Sequence, residues 1–414
     1  MDRIYDCCCG IDVHKKLLVC CFLQGQKREI REYGASTEEI LELASWLSDG
    51  NCEAVAMEST ASYWKPLYNI LEANGLNAIV VNAGHIKAVP GRKTDVNDAE
   101  WIAELLQHGL LQPSFIPSKD QRELRELVQY RRSLVGEQTR ELNRLQKMLE
   151  GANVKLSGTI KDIGGKSGRA LVQEIIDGKK VSLERLQELR KQNLIANNLK
   201  ATDEQLVRDL NGFLSPLQTR MLKELLLHLD ELSDHIRKLS DEIDNFMKPE
   251  EHRAAKVIQE VTGIGKTSAQ QIIAVLGTDL SRFPSAGHLC AWAGLCPGNN
   301  ESAKKRKNAR TRKGNVLLKT SLILCAHSAA KVKNSYFYAQ YKRISAHRGS
   351  KKAYVAVAHS MLIAIYHMLK DGVKFKDLGA NYYNQFNKER KINSYLKKLK
   401  ELGWNPENPA TAGA

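Results

Sequence analysis

Strand-like apolar runs alternate with helical patterns through residues 1–115, and this alternation constrains the fold more than any other feature of the sequence. The pattern predicts three strands, a helix, a strand, a helix, a strand and a helix. Such an order is typical of a mixed α/β sheet covered by helices. In chain order the predicted elements are 5–11, 17–23, 28–33 (an edge strand), 37–47, 54–57, 63–73, 77–81 and 95–107, with Thr37 capping the first helix.

Residues 116–252 are predicted to form a helical, coiled-coil region, broken by a bend at Gly164, Gly165 and Gly168. Its apolar side chains recur at heptad spacing, which predicts a continuous seam. That seam can close a helical hairpin within one chain or form an arm that pairs two protomers, and the sequence leaves both open. The seam residues are Leu222, Leu225, Leu229, Leu232, Ile236, Leu239 and Ile243.

A mostly helical third domain is predicted over residues 253–404, followed by a disordered tail, 405–414, that is rich in Pro, Gly and Ala. The most apolar late stretch, 354–369, is interrupted by His359 and His367 and is expected to be too short to cross a bilayer. No signal peptide is recognised at the start. These features predict a cytoplasmic protein without a membrane partner.

The charge of the chain points to a polyanionic partner. Its formal net charge is +15 and its pI about 9.3. The early cysteines lie in apolar strand-like runs, so they are interpreted as small buried hydrophobes in a reducing compartment. No cysteine pair has CxxC spacing, so a zinc site is not expected.

Four carboxylates occupy the ends of predicted elements in the α/β region. Asp12 ends the first strand, Glu58 ends the central strand, and Asp95 and Asp98 lie one turn apart on a helix. Phosphoryl transfer on nucleic acids commonly uses two divalent ions held by carboxylate oxygens. Asp95 alone could be a helix N-cap. Together the four acids predict a site for Mg²⁺, with two ions.

Three segments around these acids resemble the DEDD motif of the IS110 family of insertion-sequence transposases. They are GIDVHK at 10–15, MEST at 57–60 and GRKTDVNDA at 91–99. The resemblance covers about residues 4–403. It implies an N-terminal domain with a ribonuclease H-like fold of the RuvC type, with Asp12, Glu58, Asp95 and Asp98 as catalytic metal ligands.

The segments FPSA at 283–286, AWAGLCP at 291–297 and NNES at 299–302 resemble the C-terminal transposase domain of the same family. There the serine after the Gly-Leu-x-Pro turn attacks DNA, and that position here is Ser302. A serine hydroxyl needs activation by a base or a metal, and no histidine stands near Ser302 in sequence. The family pattern has glycine soon after this serine, whereas Ala303 and Lys304 follow here.

A run of Lys and Arg without acids follows Ser302 and is typical of a phosphate-binding surface. A second phosphate contact is predicted at the glycine turn before Lys266, which resembles a helix-hairpin-helix. Tyr336, Tyr338, Tyr341 and Arg343 are candidates for stacking on bases. The predicted nucleic-acid-binding residues are Lys93, Lys266, Lys304, Lys305, Arg306, Lys307, Arg310, Arg312 and Lys313.

The function predicted from these features is that of a transposase or DNA recombinase. The resemblance implies metal-dependent strand cleavage and exchange through a covalent phosphoserine, with guidance by a noncoding bridge RNA. It also implies a homo-oligomer, a dimer or tetramer, in which the DEDD domain of one protomer meets the serine domain of another. The expected location is the cytoplasm of a prokaryote, in association with the nucleoid. Two alternatives are a hydrolytic RuvC-like junction resolvase, in which Ser302 is passive, and a non-enzymatic nucleic-acid-binding protein.

Overall fold

The computed structural model describes residues 3–82, 98–199, 201–298, 301–302, 305–306, 310–385, 388–402 and 404. The chain divides into two compact units, with the boundary between Ser118 and Lys119. The first unit is built on a sheet and the second is helical. The separate domain boundary near residue 252 stays a prediction.

The first unit has the predicted order of strands and helices within its described residues, which confirms a mixed α/β architecture. Its elements are β1 (Cys7–Val13), β2 (Leu17–Gln24), β3 (Lys27–Gly34), α1 (Thr37–Asp49), β4 (Ala54–Glu58), α2 (Trp64–Ala73), β5 (Ala78–Val81) and α3 (Asp98–Gln107).

The cap of α1 was predicted one residue too late. Ser36, not Thr37, is the N-cap, because its backbone is extended and its hydroxyl accepts a hydrogen bond from the Glu39 N–H. The Glu39 carboxylate in turn accepts from the Ser36 hydroxyl at 2.6 Å. One orphan N–H of the first turn is thereby satisfied, and the Glu39 carboxylate also accepts from the Gly34 N–H at 2.8 Å, before the helix.

The five strands form one sheet in the order β3-β2-β1-β4-β5. β1, β2 and β3 are antiparallel neighbours, whereas β1, β4 and β5 run parallel. β3 lies at the edge, as predicted. Three antiparallel strands followed by two parallel ones give the sheet of a ribonuclease H-like domain.

The sheet is covered on both faces. Cys9, Ile11 and Val13 of β1 point to the face where α1 and α2 pack. Cys8 of β1 points to the other face, where α3 packs. The cysteines of β1 and β2 contribute to both clusters, and Cys8, Cys9, Cys20 and Cys21 are all buried. Their interpretation as small core residues is thereby confirmed, whereas Cys7, which was also interpreted as buried, is only partly buried at the start of β1.

The second unit is helical throughout its described residues, apart from two short strands. Its elements are α4 (Lys119–Gly151), α5 (Leu156–Thr159), α6 (Lys166–Ile176), α7 (Leu183–Lys191), α8 (Asp203–Leu210), α9 (Pro216–Phe246), α10 (Pro249–Ile258), α11 (Lys266–Leu276), α12 (Ala286–Trp292), β6 (Glu301–Ser302), β7 (Lys305–Arg306), α13 (Val316–Ala329), α14 (Tyr336–Arg348), α15 (Ser350–Lys370), α16 (Tyr382–Gln385) and α17 (Lys388–Glu401).

The two longest helices, α4 and α9, form an antiparallel pair within the chain. Gln138 of α4 donates to the Ser233 hydroxyl of α9 at 2.9 Å, and Asp120 near the start of α4 pairs at 2.7 Å with Lys248, just beyond the end of α9. The predicted seam supplies buried residues to this packing: Leu222, Leu229, Leu232, Leu239 and Ile243. This packing matches the alternative of a hairpin within one chain. If the helices also pair two protomers, the contact has to use residues other than these buried ones.

Helix α15 corrects the expectation for the late apolar stretch. It covers Ser350–Lys370, 21 residues, which by length and composition alone could cross a membrane. The helix is longer than the predicted stretch because it begins four residues earlier, at Ser350, and His359 and His367 do not interrupt it. Val357, Met361 and Ile365 are fully buried in the largest core cluster of the helical unit. This helix therefore packs as a core element.

Candidate active site

Two acidic side chains end neighbouring parallel strands of the sheet. Ile11 of β1 is in register with Met57 of β4, and Asp12 and Glu58 are the next residues on these strands. Equivalent positions on parallel strands point to the same face, which here is the face covered by α3. The Asp12 side chain is 16% exposed and Glu58 is half-buried. Both carboxylates are therefore accessible from solvent.

Helix α3 carries a third acid to this end of β1. The helix crosses β1 at Gly10, where a Cβ would lie 2.3 Å from the Ala103 nitrogen. The Ile4 N–H donates to the carbonyl of Gln107 at 2.8 Å, so the last residue of α3 lies before the start of β1. Asp98, the first residue of α3, consequently lies toward the carboxyl end of β1, and it is exposed.

Each strand-end acid has a polar partner two residues further along the chain. His14 Nε2 lies 3.1 Å from Asp12 Oδ2. The Thr60 hydroxyl donates to Glu58 Oε1 at 3.0 Å. Such contacts orient carboxylates that serve as ligands. Neither His14 nor Thr60 was predicted to have a role; their spacing of two residues from each acid is the signal that could have found them.

The described acids alone do not form a complete metal site. Within the part of the chain that the structure describes, no three His, Cys, Asp or Glu side chains could together hold an ion. Asp95 lies outside the described residues. Oxygen-only donors on one side of the sheet nonetheless have the chemistry that Mg²⁺ requires. Asp12 and Glu58 fit part of such a ligand set, and the four-acid site stays a prediction.

Ser302 lies in a small β-hairpin of the helical unit. β6 and β7 are antiparallel, with Ser302 paired to Lys305 and Glu301 to Arg306. The hairpin continues toward its base, where Pro297 is bridged to Thr311 and the Gly298 N–H donates to the Arg310 carbonyl at 2.8 Å. Ser302 is therefore the last residue of β6.

The base of this hairpin rests on a close approach of two glycines. Gly294 has a φ of +71°, and a Cβ on Gly314 would lie 2.3 Å from the Gly294 nitrogen. Only glycine fits both positions. Asn315 follows and caps α13 through its side chain, which accepts from the Leu318 N–H at 2.9 Å. The hairpin is thus anchored to the start of a core helix.

The predicted cationic residues are only partly described. Arg310, Arg312 and Lys313 on the returning side of the hairpin are at least partly exposed. Lys266 is paired with Asp244 at 2.5 Å, so this ammonium already has a partner in the fold. Lys305 and Arg306 are described only in backbone. Lys93, Lys304 and Lys307 lie outside the described residues.

The positive charge is concentrated in the second unit. Residues 1–118 contain 10 Lys and Arg against 16 Asp and Glu, whereas residues 119–414 contain 52 against 31. Between Ser302 and Lys370 there are 16 Lys and Arg and no acid. A polyanion would therefore be attracted more strongly to the helical unit than to the first unit.

The predicted stacking residues are largely engaged within the fold. Tyr336 contacts the ring of Tyr383 at 5.4 Å and shares a hydroxyl hydrogen bond of 2.7 Å with it. Burial is the main cause that raises the pKa of Tyr336 above its ordinary value. Arg343 lies over Tyr383 at 4.3 Å. These residues are part of a packed aromatic cluster.

Comparison with known proteins links the regions of both candidate sites to transposases. The model of the DEDD transposase domain of IS110, described as a transposase, matches residues 9–154. A second model, described as the transposase of the IS116/IS110/IS902 family, matches residues 255–342. Asp12, Glu58, Asp95 and Asp98 lie in the first match and Ser302 in the second.

Two insertion-element proteins from Streptomyces are also similar to this chain. The "Insertion element IS110 uncharacterized 43.6 kDa protein" of Streptomyces coelicolor is 26% identical over 310 residues, which are 69% of this chain and 73% of the relative. The "Insertion element IS116 uncharacterized 44.8 kDa protein" of Streptomyces clavuligerus is 25% identical over 262 residues, which are 58% of this chain and 63% of the relative.

A ribonuclease H-like sheet with acids at one edge, followed by a basic helical unit, defines a DEDD-type transposase, an enzyme of insertion sequences that acts on DNA. The chain belongs to the IS110 family of these transposases. Enzymes of the DEDD type generally use divalent metal ions.

Proposed function

We propose that this transposase cleaves and exchanges DNA strands by metal-dependent phosphoryl transfer through a covalent phosphoserine at Ser302. The observation that carries the proposal is the common edge of the sheet. Asp12 and Glu58 end adjacent parallel strands on the face that α3 covers, and α3 begins at Asp98 near the same edge. Acids that share one edge are suited to nucleic-acid chemistry with divalent ions.

Asp12, Glu58, Asp95 and Asp98 would hold two Mg²⁺ ions in this proposal. Bound there, the ions would neutralise charge on the attacking and leaving oxygens. His14 and Thr60 would keep the first two carboxylates in a fixed orientation, as their contacts of 3.1 and 3.0 Å suggest. Removing either partner should loosen a carboxylate without removing a ligand.

Ser302 would supply the attacking oxygen. Its hydroxyl oxygen forms the new bond to phosphorus, the bond from phosphorus to the adjoining sugar oxygen breaks, and that oxygen takes up a proton. Arg310, Arg312 and Lys313 on the same hairpin would hold the phosphates of the strand. The other predicted cations, Lys93, Lys266, Lys304, Lys305, Arg306 and Lys307, would extend this contact.

A bridge RNA and a homo-oligomer complete the proposal. The surplus of Lys and Arg in residues 119–414 is compatible with a second nucleic acid beside DNA. A dimer or tetramer would allow the acids of one protomer to act with Ser302 of another. Mixing a Ser302→Ala chain with an Asp12→Ala chain should then restore part of the activity that each has lost.

The decisive experiment is recovery of a DNA-linked peptide. After reaction with element-end DNA, the element's noncoding RNA and Mg²⁺, digestion of the protein should yield one adduct peptide that contains Ser302. Ser302→Ala should abolish the adduct while DNA binding stays nearly unchanged, because one hydroxyl contributes little to a charged interface. The natural control is Ser285→Ala, since Ser285 is a helix cap in the same unit.

The resolvase alternative gives a different result in the same experiment. If the acids activate water and Ser302 is passive, DNA is cut without any adduct and Ser302→Ala still cuts. An adduct that persists in Ser302→Ala would assign the nucleophile to another residue. Loss of all cleavage in Asp12→Ala, in either case, would exclude the non-enzymatic alternative.

A further inference from the structure

Three aromatic rings form a stack in the helical unit, away from the aromatic cluster of Tyr336. The Tyr354 ring of α15 lies 3.5 Å from the His327 ring of α13, at an interplanar angle of 18°. On α14, the Tyr341 ring lies 4.6 Å from that of Tyr354, at 26°. Among the described rings, His327 and Tyr341 make no contact with each other, so Tyr354 lies between them.

The inner part of this stack is held rigidly. Tyr341 and Tyr354 pack against the main core of the unit. His327 is exposed and forms the end of the stack that faces solvent. A planar ligand can therefore extend the stack at His327 without any rearrangement of the core.

Cations without acidic neighbours flank the stack. Lys331 follows His327 by four residues, and Lys351 precedes Tyr354 by three on α15. Both side chains are exposed, and no carboxylate of the described chain pairs with either. The nearest acids in sequence are Glu301 and Asp371. The rings thus lie in a uniformly positive part of the sequence.

We infer that the His327–Tyr354–Tyr341 stack is a platform for an unpaired nucleic-acid strand. A base stacks on His327, and the adjoining phosphates are held by Lys331 and Lys351. Aromatic faces beside cations are the chemistry that binds single strands, because every base exposes a π-face when it is unpaired. A duplex hides these faces and could use the cations only.

The inference rests on the proposed function only in taking a nucleic acid as the partner. It adds a contact that needs neither Ser302 nor the carboxylates. Binding of a nucleic-acid strand at the platform and adduct formation at Ser302 can consequently be tested independently.

The test compares His327→Ala with the parent full-length chain, without divalent ions, by fluorescence anisotropy. The probes are oligothymidylate, oligouridylate and a mixed-sequence DNA duplex. Loss of a stacked base should weaken binding of a single-stranded probe about 5- to 100-fold and leave duplex affinity and the salt dependence unchanged. His327→Phe should retain the affinity, since it keeps a ring at this position.

Neutralising the cations should give a second, different signature. Lys331→Gln combined with Lys351→Gln should weaken single strands and flatten the plot of log affinity against log salt by about 0.7 per lost phosphate contact. The matched control is Arg220→Gln with Lys223→Gln, two exposed residues of α9 that change the net charge equally. The control pair should leave single-strand affinity and the salt slope unchanged.

Tighter binding of oligouridylate than of oligothymidylate would identify an RNA strand as the ligand, and the reverse would identify a DNA strand. Either result supports the platform. A folded His327→Ala chain that binds single strands like the parent overturns it. Equal loss on single strands and duplex also overturns it, because a general basic surface would then explain the binding. A Ser302 adduct that still forms in His327→Ala leaves the proposed function intact.

Discussion

Glu174 is a buried carboxylate that joins two short helices of the helical unit. It is only 5% exposed, and Arg185 of α7 donates to both of its oxygens at 2.7 Å. These hydrogen bonds are the main cause that lowers the pKa of Glu174 below its ordinary value. A carboxyl group with a lowered pKa stabilises the fold when it is ionised.

Replacing Glu174 with Gln should therefore destabilise the protein in a pH-dependent way. At neutral pH we expect a loss of about 2 kcal/mol, because a buried charged hydrogen-bond partner is removed. The stabilisation is complete above the unfolded pKa of about 4.3 and disappears as pH falls through the folded pKa. The thermal midpoints of the variant and the parent should hence converge in acid.

Glu188→Gln is the control for this comparison, since Glu188 pairs with the same arginine but its side chain is 56% exposed. We expect a change of about 0–1 kcal/mol there. A midpoint difference for Glu174→Gln that is constant from neutral to acid pH would contradict the assigned charge of the carboxylate.

Single residues of the candidate site differ in how far the sequence could predict them. The positions of Asp12 and Glu58 were predictable, because each directly follows an apolar run that has the pattern of a buried strand. Their partners His14 and Thr60 were not, since the contact depends on how the chain turns after the strand. Similarly, Ser36 and Thr37 are both good caps, and only the backbone conformation at Ser36 decides between them.

Gly10 determines how α3 is seated on the sheet. Any side chain here would meet the backbone of Ala99 and Ala103, at 2.4 and 2.3 Å from the new Cβ. Gly10→Ala should force the helix away from β1, with a loss of about 1–3 kcal/mol or more for overpacking. It should also reduce DNA cleavage, because the same helix carries Asp98.

A glycine in open surroundings provides the comparison. At Gly136 of α4, an added Cβ would have only the end of the Arg140 side chain nearby, at 3.6 Å. Gly136→Ala should therefore stabilise the protein by roughly 0.5–1 kcal/mol through helix propensity. Thermal unfolding and a cleavage assay on both variants test the pair. Full activity in Gly10→Ala would show that α3 does not position the site.

The elements themselves were predictable where a periodic apolar pattern runs for several turns, as in the seam from Leu222 to Ile243. The sequence could not decide what the seam packs against, because a heptad pattern is the same for a partner within the chain or outside it. The hairpin of Ser302 was missed as an element. Its strands have two residues each, too few to show an alternating pattern.

At the scale of the whole molecule, the buried seam changes where protomers can meet. Exposed apolar residues remain around the start of α9. Phe213 precedes the helix, and Leu217 and Met221 lie one turn apart within it, with exposures of 84%, 59% and 46%. If the proposed oligomer forms through this helix, Leu217→Glu with Met221→Glu should lower its mass in solution. The protein should stay folded, because neither residue is in the core.

Leu229→Asp should behave differently. Leu229 is 1% exposed, and a charge there would unfold the hairpin itself. Light scattering together with circular dichroism separates the two results. An unchanged mass for the Leu217 and Met221 variant would place any protomer contact elsewhere on the surface.

The buried cysteines of the sheet allow opening of the first unit to be measured by the rate of thiol labelling. Burial is the main cause that raises the pKa of Cys8 and of Cys21 to about 12, so these thiols are protonated and shielded while the strands stay paired. A thiol reagent can reach them only when the sheet opens, and the rate of labelling therefore measures that opening. Because Asp12 and Glu58 end strands of the same sheet, Mg²⁺ bound there should slow the labelling, which would report metal binding without any DNA.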